Sequence, residues 1–403
     1  MSTQKTREEK FKNLLKLKSD EIPTPCFVVD EGLIEENLKI LDSVQKRTGC
    51  KILLALKGFA MFKTFPLISR YLGGICASGV NEARLGYEEF GKEVHTFSPA
   101  FTEDEMKELI KYSDHIVFNS FSQWNKFKPL IKNSNKNIEC GIRINPEKSP
   151  KGVKYKMYDP CSENSRLGII LKNFKDGNSD GISGLHFHVL CEQSADALEE
   201  VLIAFEEKFS PYIKKMKWVN FGGGHLITED GYDVDKLCKL ITDFKNRYPN
   251  IEKIYLEPGE ASVFNAGILT ATVLDIIHNK HEIAVLDISA EVCLLDMLYT
   301  KSEPEPYRPQ IIGAEQNFGG LTYDYILGGI SCAAGDVIGQ YSFPEPLKIG
   351  DRLIFTDAAH YSMVKTTTFN GINPPAIAIY KPKTDSLKVV RNFGYEDYKN
   401  RLS

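Results

Sequence analysis

No C-x-x-C pair occurs anywhere in the chain, so the close ligand spacing of a structural zinc site is missing. The nine cysteines, at 26, 50, 76, 140, 161, 191, 238, 293 and 332, form an odd and scattered set. Such a set reads as reduced thiols of a cytosolic protein, most of them small core residues. No stretch approaches the roughly 18 uninterrupted apolar residues of a membrane-spanning helix. There is no excess of positive charge either: 50 Lys and Arg stand against 54 Asp and Glu, which gives no case for a nucleic-acid surface. The start, 1–20, is polar and lysine-rich without the apolar centre of a secretory signal. Its Phe11, Leu14, Leu15 and Leu17 have the spacing of a short surface helix or frayed tail. No repeat or low-complexity segment is present, and 304–309 (PEPYRP) reads as a stiff surface loop.

What is present is ordinary globular composition, 42% apolar and 26% charged over 403 residues. Apolar segments of strand length recur at 52–56, 73–78, 94–98, 115–119, 139–145, 184–189, 218–221 and 253–257. Amphipathic stretches with helical spacing lie between them, such as 80–90, 195–209 and 234–248. Strand–helix alternation argues for a parallel sheet. Eight units fit a (β/α)8 barrel, with a doubly wound open sheet as the alternative. After about Ala266 the texture changes to short Val-, Ile-, Thr-, Gly- and Pro-rich strands, and a β-rich second domain is expected there. The expected division is therefore 1–35, an N-terminal segment and first strand (24–30, TPCFVVD) that pairs with the C-terminal β domain; 36–265, the barrel; and 266–403, the β-rich domain.

In such a barrel, catalytic groups collect at the C-terminal ends of the strands. The first strand ends in LALKG and delivers Lys57; the sixth delivers His186 and His188. The seventh runs into Gly222, Gly223 and Gly224, and the eighth delivers Glu257 before Pro258, Gly259 and Glu260. Each has a plain structural reading: a surfacing lysine, core histidines, a tight turn, a structural carboxylate. Together they carry more. Three glycines let backbone approach a ligand and present N–H groups, where this fold commonly binds phosphate. A lysine that can be desolvated suits a Schiff base. A carboxylate can keep a pyridine nitrogen protonated, and a histidine can stack on the ring. These are the parts of a pyridoxal 5′-phosphate (PLP) site.

The motifs LALKGFAMF, HFHVLCEQ, VNFGGGH, YLEPGEA, EVCLLDML, GGISCAAGD and DAAHYSMVK occur in this order from about Pro25 to Tyr380. In that arrangement the chain resembles the fold-type III PLP decarboxylases, the alanine racemase-like group that includes ornithine and diaminopimelate decarboxylases, and most of all its carboxypolyamine branch. The resemblance implies that Lys57 carries the PLP aldehyde and that His188 stacks on the pyridine ring. It implies that Gly222, Gly223, Gly224, Gly259 and the Glu260 backbone hold the phosphate with the Tyr361 hydroxyl, and that Glu257 pairs with the pyridine nitrogen. Cys332 is the implied acid that returns a proton to Cα. In this group it comes from the partner chain, which implies a homodimer with shared active sites. Arg166 and Asp336 are an expected pair across that interface, an intrachain or solvated pair being the alternative.

Departures from the group point to the substrate. Diaminopimelate decarboxylases show EPGR, where the arginine holds a distal carboxylate; here Glu260 reverses that charge. Ornithine-type enzymes place an acid directly after the cysteine; here that residue is Ala333. Glu260 and Asp296 (CLLDML) are therefore the candidate anchors for a long cationic substrate. The usual phosphate-binding serine after the histidine is missing, with Cys191 in that region. The implied activity is decarboxylation of carboxyspermidine, carboxynorspermidine or both to spermidine or norspermidine, in a cytoplasmic enzyme without metal. Two alternatives stand beside it: a decarboxylase of another basic or diamino acid (diaminopimelate, ornithine, arginine), and a non-catalytic regulatory homologue. The presence of both Lys57 and Cys332 speaks against the latter.

Overall fold

The computed structural model describes residues 22–153, 155–175, 177–303 and 307–403. The lysine-rich start and half of the 304–309 loop lie outside the described residues. The chain divides into two compact units: the N-terminal segment to Ile34 with Val263–Ser403, and Glu35–Ser262.

Strand β1 (Cys26–Asp30) belongs to the first unit. The second unit is a closed barrel of eight parallel strands: β2 (Lys51–Ala55), β3 (Gly74–Ala77), β4 (Glu93–Phe97), β5 (His115–Phe118), β6 (Glu139–Arg143), β7 (Gly184–His186), β8 (Trp218–Asn220) and β9 (Lys253–Leu256). The barrel closes where β2 pairs with β9, Lys51 opposite Tyr255, which removes the open-sheet alternative. The (β/α)8 fold class read from the alternation is the one observed. The strands are apolar on both faces because helices cover the outside while side chains fill the inside. The helix Ala195–Ile213, for example, buries Leu198, Val201, Leu202, Phe205 and Phe209. Its neighbour Val234–Arg247 buries Leu237, Ile241 and Phe244. The stretch 80–90 departs from a plain helix, turning into a π-helical segment at Gly86–Phe90. A Cβ on Gly86 would lie 2.4 Å from Ile75 Cγ1, so glycine lets this turn sit against β3.

Leu53, Val117, Trp218 and Tyr255 fill the barrel's middle with Cys76 and Phe97. Gly141 and Gly184 make room for the indole: a Cβ on them would stand 2.4 and 2.0 Å from Trp218 ring atoms. Around the strand starts lies a polar layer. The His95 and His115 rings stack at 3.8 Å and 11°, and Glu93 bonds Lys51 and His95. Burial, then the neighbouring His95, pushes the His115 pKa down to about 2.

The first unit is a nine-stranded sheet. Its further strands are β10 (Gly267–Asn279), β11 (His281–Leu286), β12 (Glu315–Gln316), β13 (Tyr323–Gly328), β14 (Val337–Phe343), β15 (Arg352–Thr356), β16 (Ala376–Lys381) and β17 (Ser386–Arg391). The order is β12-β14-β13-β11-β10-β1-β16-β17, with β15 also on β10. β1 runs antiparallel to β10 and parallel to β16, so a strand that precedes the barrel in sequence is central to this sheet. Ile22, Cys26, Val28, Ile268, Ala378 and Tyr380 form its core cluster. Among the described residues no helix is long and apolar enough to cross a membrane, and all nine cysteines are free thiols.

The depressed His115 pKa has a stability consequence. The unfolded chain takes up a proton near pH 6.5 that the folded chain refuses, so stability is lost as pH falls below that value. At about 1.4 kcal/mol per proton and pH unit, His115 alone removes about 2 kcal/mol between pH 6.5 and pH 5. Thermal melting of His115→Phe should show a correspondingly smaller drop over this range than the wild type. An identical drop would contradict the assignment.

Candidate active site

At the C-terminal end of β2, Leu56 N–H still bonds Cys76 O, and Gly58 and Phe59 N–H then fold back onto Ala55 O. That turn ends the strand and presents Lys57. Its Nζ lies 3.5 Å from His188 Nε2. His188 follows β7, and its Nδ1 accepts the Gly223 N–H at 2.8 Å. A neutral ring therefore carries its proton on Nε2, facing Lys57. Burial first, and the Lys57 charge second, lower the His188 pKa well below its ordinary value, which keeps that ring neutral.

Glu257 follows β9. Its Oε1 accepts from Asn220 Nδ2 at 2.6 Å, and its Oε2 lies 3.4 Å from His186 Nε2. Burial alone would raise this carboxyl group's pKa; His186, His95 and Asn220 together outweigh it and bring the pKa down to about 2. Glu257 is thus a buried anion at neutral pH, a state that needs such partners. Cys76 faces the same carboxylate, and burial and that negative charge push its thiol pKa well up.

Gly222 and Gly224 have φ of +73° and +82°, which favour glycine. A Cβ on Gly223 would lie 2.3 Å from Glu257 O, and one on Gly224 1.9 Å from Leu190 O. The expectation that all three N–H groups are bare needs correction. Gly222 N–H donates to Asn220 Oδ1 and Gly223 N–H to His188 Nδ1, both at 2.8 Å. The first two glycines hold the site's own side chains. Only Gly224 N–H among the three has no protein acceptor among the described residues. Gly259 packs on Ala55, where a Cβ would meet Ala55 O at 2.7 Å, and its N–H bonds Glu257 O. That packing sets the Glu260 turn beside Gly58, and Thr228 Oγ1 pins the turn through Ala261 O.

The structure thus gathers Lys57, His188, 222–224, Glu257, Gly259 and Glu260 at one end of the barrel. Arg143, Asn220 and His186 join them. His186 was named among the strand-end groups without a task, whereas Arg143 and Asn220 were missed. Arg143 is 4% exposed; its Nη2 donates to His188 O at 3.0 Å and its guanidinium lies 4.6 Å over the Phe97 ring. Burial lowers its pKa to about 10, still fully charged. A single cation closing the apolar strand ECGIR was the available signal.

The remaining expected residues belong to the sheet unit. Tyr361 sits at φ +45°. Asp296 is not a bare carboxylate: Lys365 Nζ holds its Oδ1 at 2.6 Å. Cys332 is exposed, and its N–H donates to Asn370 Oδ1 at 3.0 Å. Asp336, 5% exposed, accepts the Ser331 N–H of its own loop at 3.1 Å and the Ala290 N–H from a separate segment at 2.8 Å. It is a clamp for the cysteine loop rather than the accessible partner expected for Arg166.

The sequence profile of the family described as "Pyridoxal-dependent decarboxylase, C-terminal sheet domain" matches residues 26–359. The chain belongs to the pyridoxal-dependent decarboxylases. It is 43% identical to the carboxynorspermidine/carboxyspermidine decarboxylase of Campylobacter jejuni, across 95% of this chain and 99% of that one. It is also 43% identical to the carboxyaminopropylagmatine decarboxylase of a Synechocystis species, across 94% and 96%. A crystal structure of carboxynorspermidine decarboxylase complexed with norspermidine from Campylobacter jejuni superposes with a TM-score of 0.85, covering 94% of this chain and all of that one. The family's cofactor is pyridoxal phosphate, and the residues at the barrel end fit it. They supply a primary amine, an imidazole fixed through one nitrogen, a buried ionised carboxylate, and a backbone N–H in a cradle that any Cβ would fill.

Within this decarboxylase, Asn220 is the joint between carboxylate and glycine loop. Asn220→Ala removes a charge-assisted hydrogen bond worth about 1.5–3 kcal/mol. PLP affinity, followed by near-ultraviolet and visible absorbance during dialysis, should fall about tenfold or more. Gly224→Ala should retain no cofactor at all. Wild-type retention in both would show that neither residue shapes the cradle.

Proposed function

We propose that this decarboxylase removes the α-carboxylate of a carboxypolyamine, carboxynorspermidine, carboxyspermidine or both, and releases norspermidine or spermidine in polyamine biosynthesis. The single observation that carries the reaction type is the buried, ionised Glu257. Bound PLP supplies an electron-poor ring that takes up the electron pair of the breaking Cα–carboxylate bond. Glu257, an anion throughout the working pH range, holds a proton on the ring nitrogen. Lys57 Nζ would hold the cofactor's aldehyde, the position that the substrate's α-amine takes during turnover. His188, with its orientation set by Gly223 N–H, would pack on the ring face. Gly224 N–H, the Gly259–Glu260 backbone and the Tyr361 hydroxyl hold the phosphate, with Gly222 and Gly223 keeping the loop in place. Cys332, supplied by the second copy of a homodimer, would return a proton to Cα. An enzyme built on nine free thiols works in the cytoplasm.

The choice of substrate is supported by the Campylobacter relative and by two carboxylates, Glu260 and Asp296, that the sequence offers as anchors for distal ammonium groups. The equally similar Synechocystis relative supports a second reading, in which the distal cation is a guanidinium. The two polyamine substrates differ by one methylene, worth about 1–3 kcal/mol in a pocket, so either one or both are turned over.

Carbon dioxide release by the purified holoenzyme tests both readings, with carboxynorspermidine, carboxyspermidine, carboxyaminopropylagmatine, diaminopimelate and ornithine side by side. A carboxypolyamine is expected to lead by at least tenfold in kcat/KM; a lead for diaminopimelate would overturn the role of Glu260. Lys57→Ala should lose turnover entirely. Glu260→Ala should raise KM about tenfold with PLP binding intact, and an unchanged KM would place the distal amines elsewhere.

A further inference from the structure

Asp296 is not alone with Lys365. The Lys365 ammonium, 2.6 Å from Asp296 Oδ1, also lies 4.8 Å from the centroid of the Tyr361 ring and 5.9 Å from that of Tyr299. One carboxylate and two aromatic rings around a primary ammonium on a four-carbon stem make a receptor for an alkylammonium ion. Both charged partners are partly shielded, with side-chain exposures of 29% for Lys365 and 22% for Asp296. The occupant is chemically the same as the end of a polyamine: a terminal –NH3+ on a methylene chain.

We infer that Lys365 is a tethered competitor for the alkylammonium site formed by Asp296, Tyr361 and Tyr299, and that the substrate's terminal ammonium displaces it when it binds. This inference rests on the carboxypolyamine reading and deepens it. Exchange of one alkylammonium for another leaves the carboxylate paired throughout, so Asp296 is never stripped bare in a shielded place. The exchange sets affinity by competition. A tethered group acts at an effective concentration in the millimolar range. Apparent affinity for the free ligand then drops in proportion to the fraction of molecules whose site is open. Such a device keeps product release easy in an enzyme whose product keeps every cationic group of its substrate.

Two substitutions of Lys365 move the competition in opposite directions. Lys365→Met keeps the stem and removes the charge, and should lower KM for carboxynorspermidine and the calorimetric Kd of the holoenzyme for norspermidine three- to tenfold, with kcat unchanged or reduced by slower release. Lys365→Arg offers Asp296 a bidentate partner that is harder to displace, and should raise KM. In the Asp296→Asn background, Lys365→Met should change KM by less than twofold. An unchanged or raised KM in Lys365→Met, with a lower melting temperature, would make the pair purely structural and overturn the inference. So would Arg and Met variants that shift KM the same way. If the wild type decarboxylates neither carboxypolyamine, the functional reading fails and takes the inference with it. An active wild type with an insensitive Lys365→Met removes the inference alone.

Discussion

The site depends on keeping one carboxylate ionised where burial opposes it. Glu257 succeeds because Asn220 and His186 aim hydrogen-bonding groups at its two oxygens from neighbouring strands β8 and β7. Asn220 has a double task. Its amide nitrogen holds Glu257 while its carbonyl oxygen takes the Gly222 N–H, which sets the glycine turn. The Gly223 N–H produced by that turn then fixes His188, and His188 Nε2 faces Lys57. One chain of hydrogen bonds thus runs from the carboxylate through the glycine loop to the histidine beside the lysine. Its parts come from the ends of β2, β7, β8 and β9, which only barrel closure brings side by side.

The barrel interior also holds a second polar cluster, Lys51, Glu93, His95 and His115. Leu53, Val117, Trp218 and Tyr255 form a largely apolar plug beside it, with the Tyr255 ring against His95 and His115. The indole of Trp218 is admitted only because Gly141 and Gly184 on adjacent strands lack side chains. A low-dielectric plug strengthens electrostatic interactions next to it. It also raises the cost of any polar atom left without a partner. That is why His115 and His186 resist protonation and why acid weakens the folded state before it reaches the carboxylate.

The barrel was legible because its strands are short apolar runs ended by glycine or charge, and helical periods fill the gaps. The catalytic end was legible by the same logic, since Lys57 and Glu257 interrupt apolar segments. That logic was available for Arg143 too, at the end of ECGIR, yet an arginine has no role among the expected cofactor parts and was passed over. Asn220 stood one residue before the glycine run, where an amide is easily read as turn chemistry. Sequence can show that Gly222 and Gly223 are required. It cannot show that their N–H groups are spent on Asn220 and His188, because that depends on the register between β7 and β8. Asp336 illustrates the converse. Its charge suggested an interface pair, but its two oxygens are taken by one N–H of its own loop and one from Ala290, a contact that only the fold creates.

Substrate choice on this shared frame rests on few charges. Between decarboxylases of one fold, the cofactor end is the same and the distal end of the substrate differs. Reversal of a single charge at the position of Glu260 changes the preferred partner from anion to cation. A carboxylate that waits for a cation in a shielded pocket is expensive unless something neutralises it meanwhile. Lys365 neutralises Asp296, and under the proposed exchange the substrate would bring the same functional group. Selectivity for long polyamines then needs no tight pocket around each methylene. On the proposed exchange it needs only an alkylammonium end that replaces a lysine.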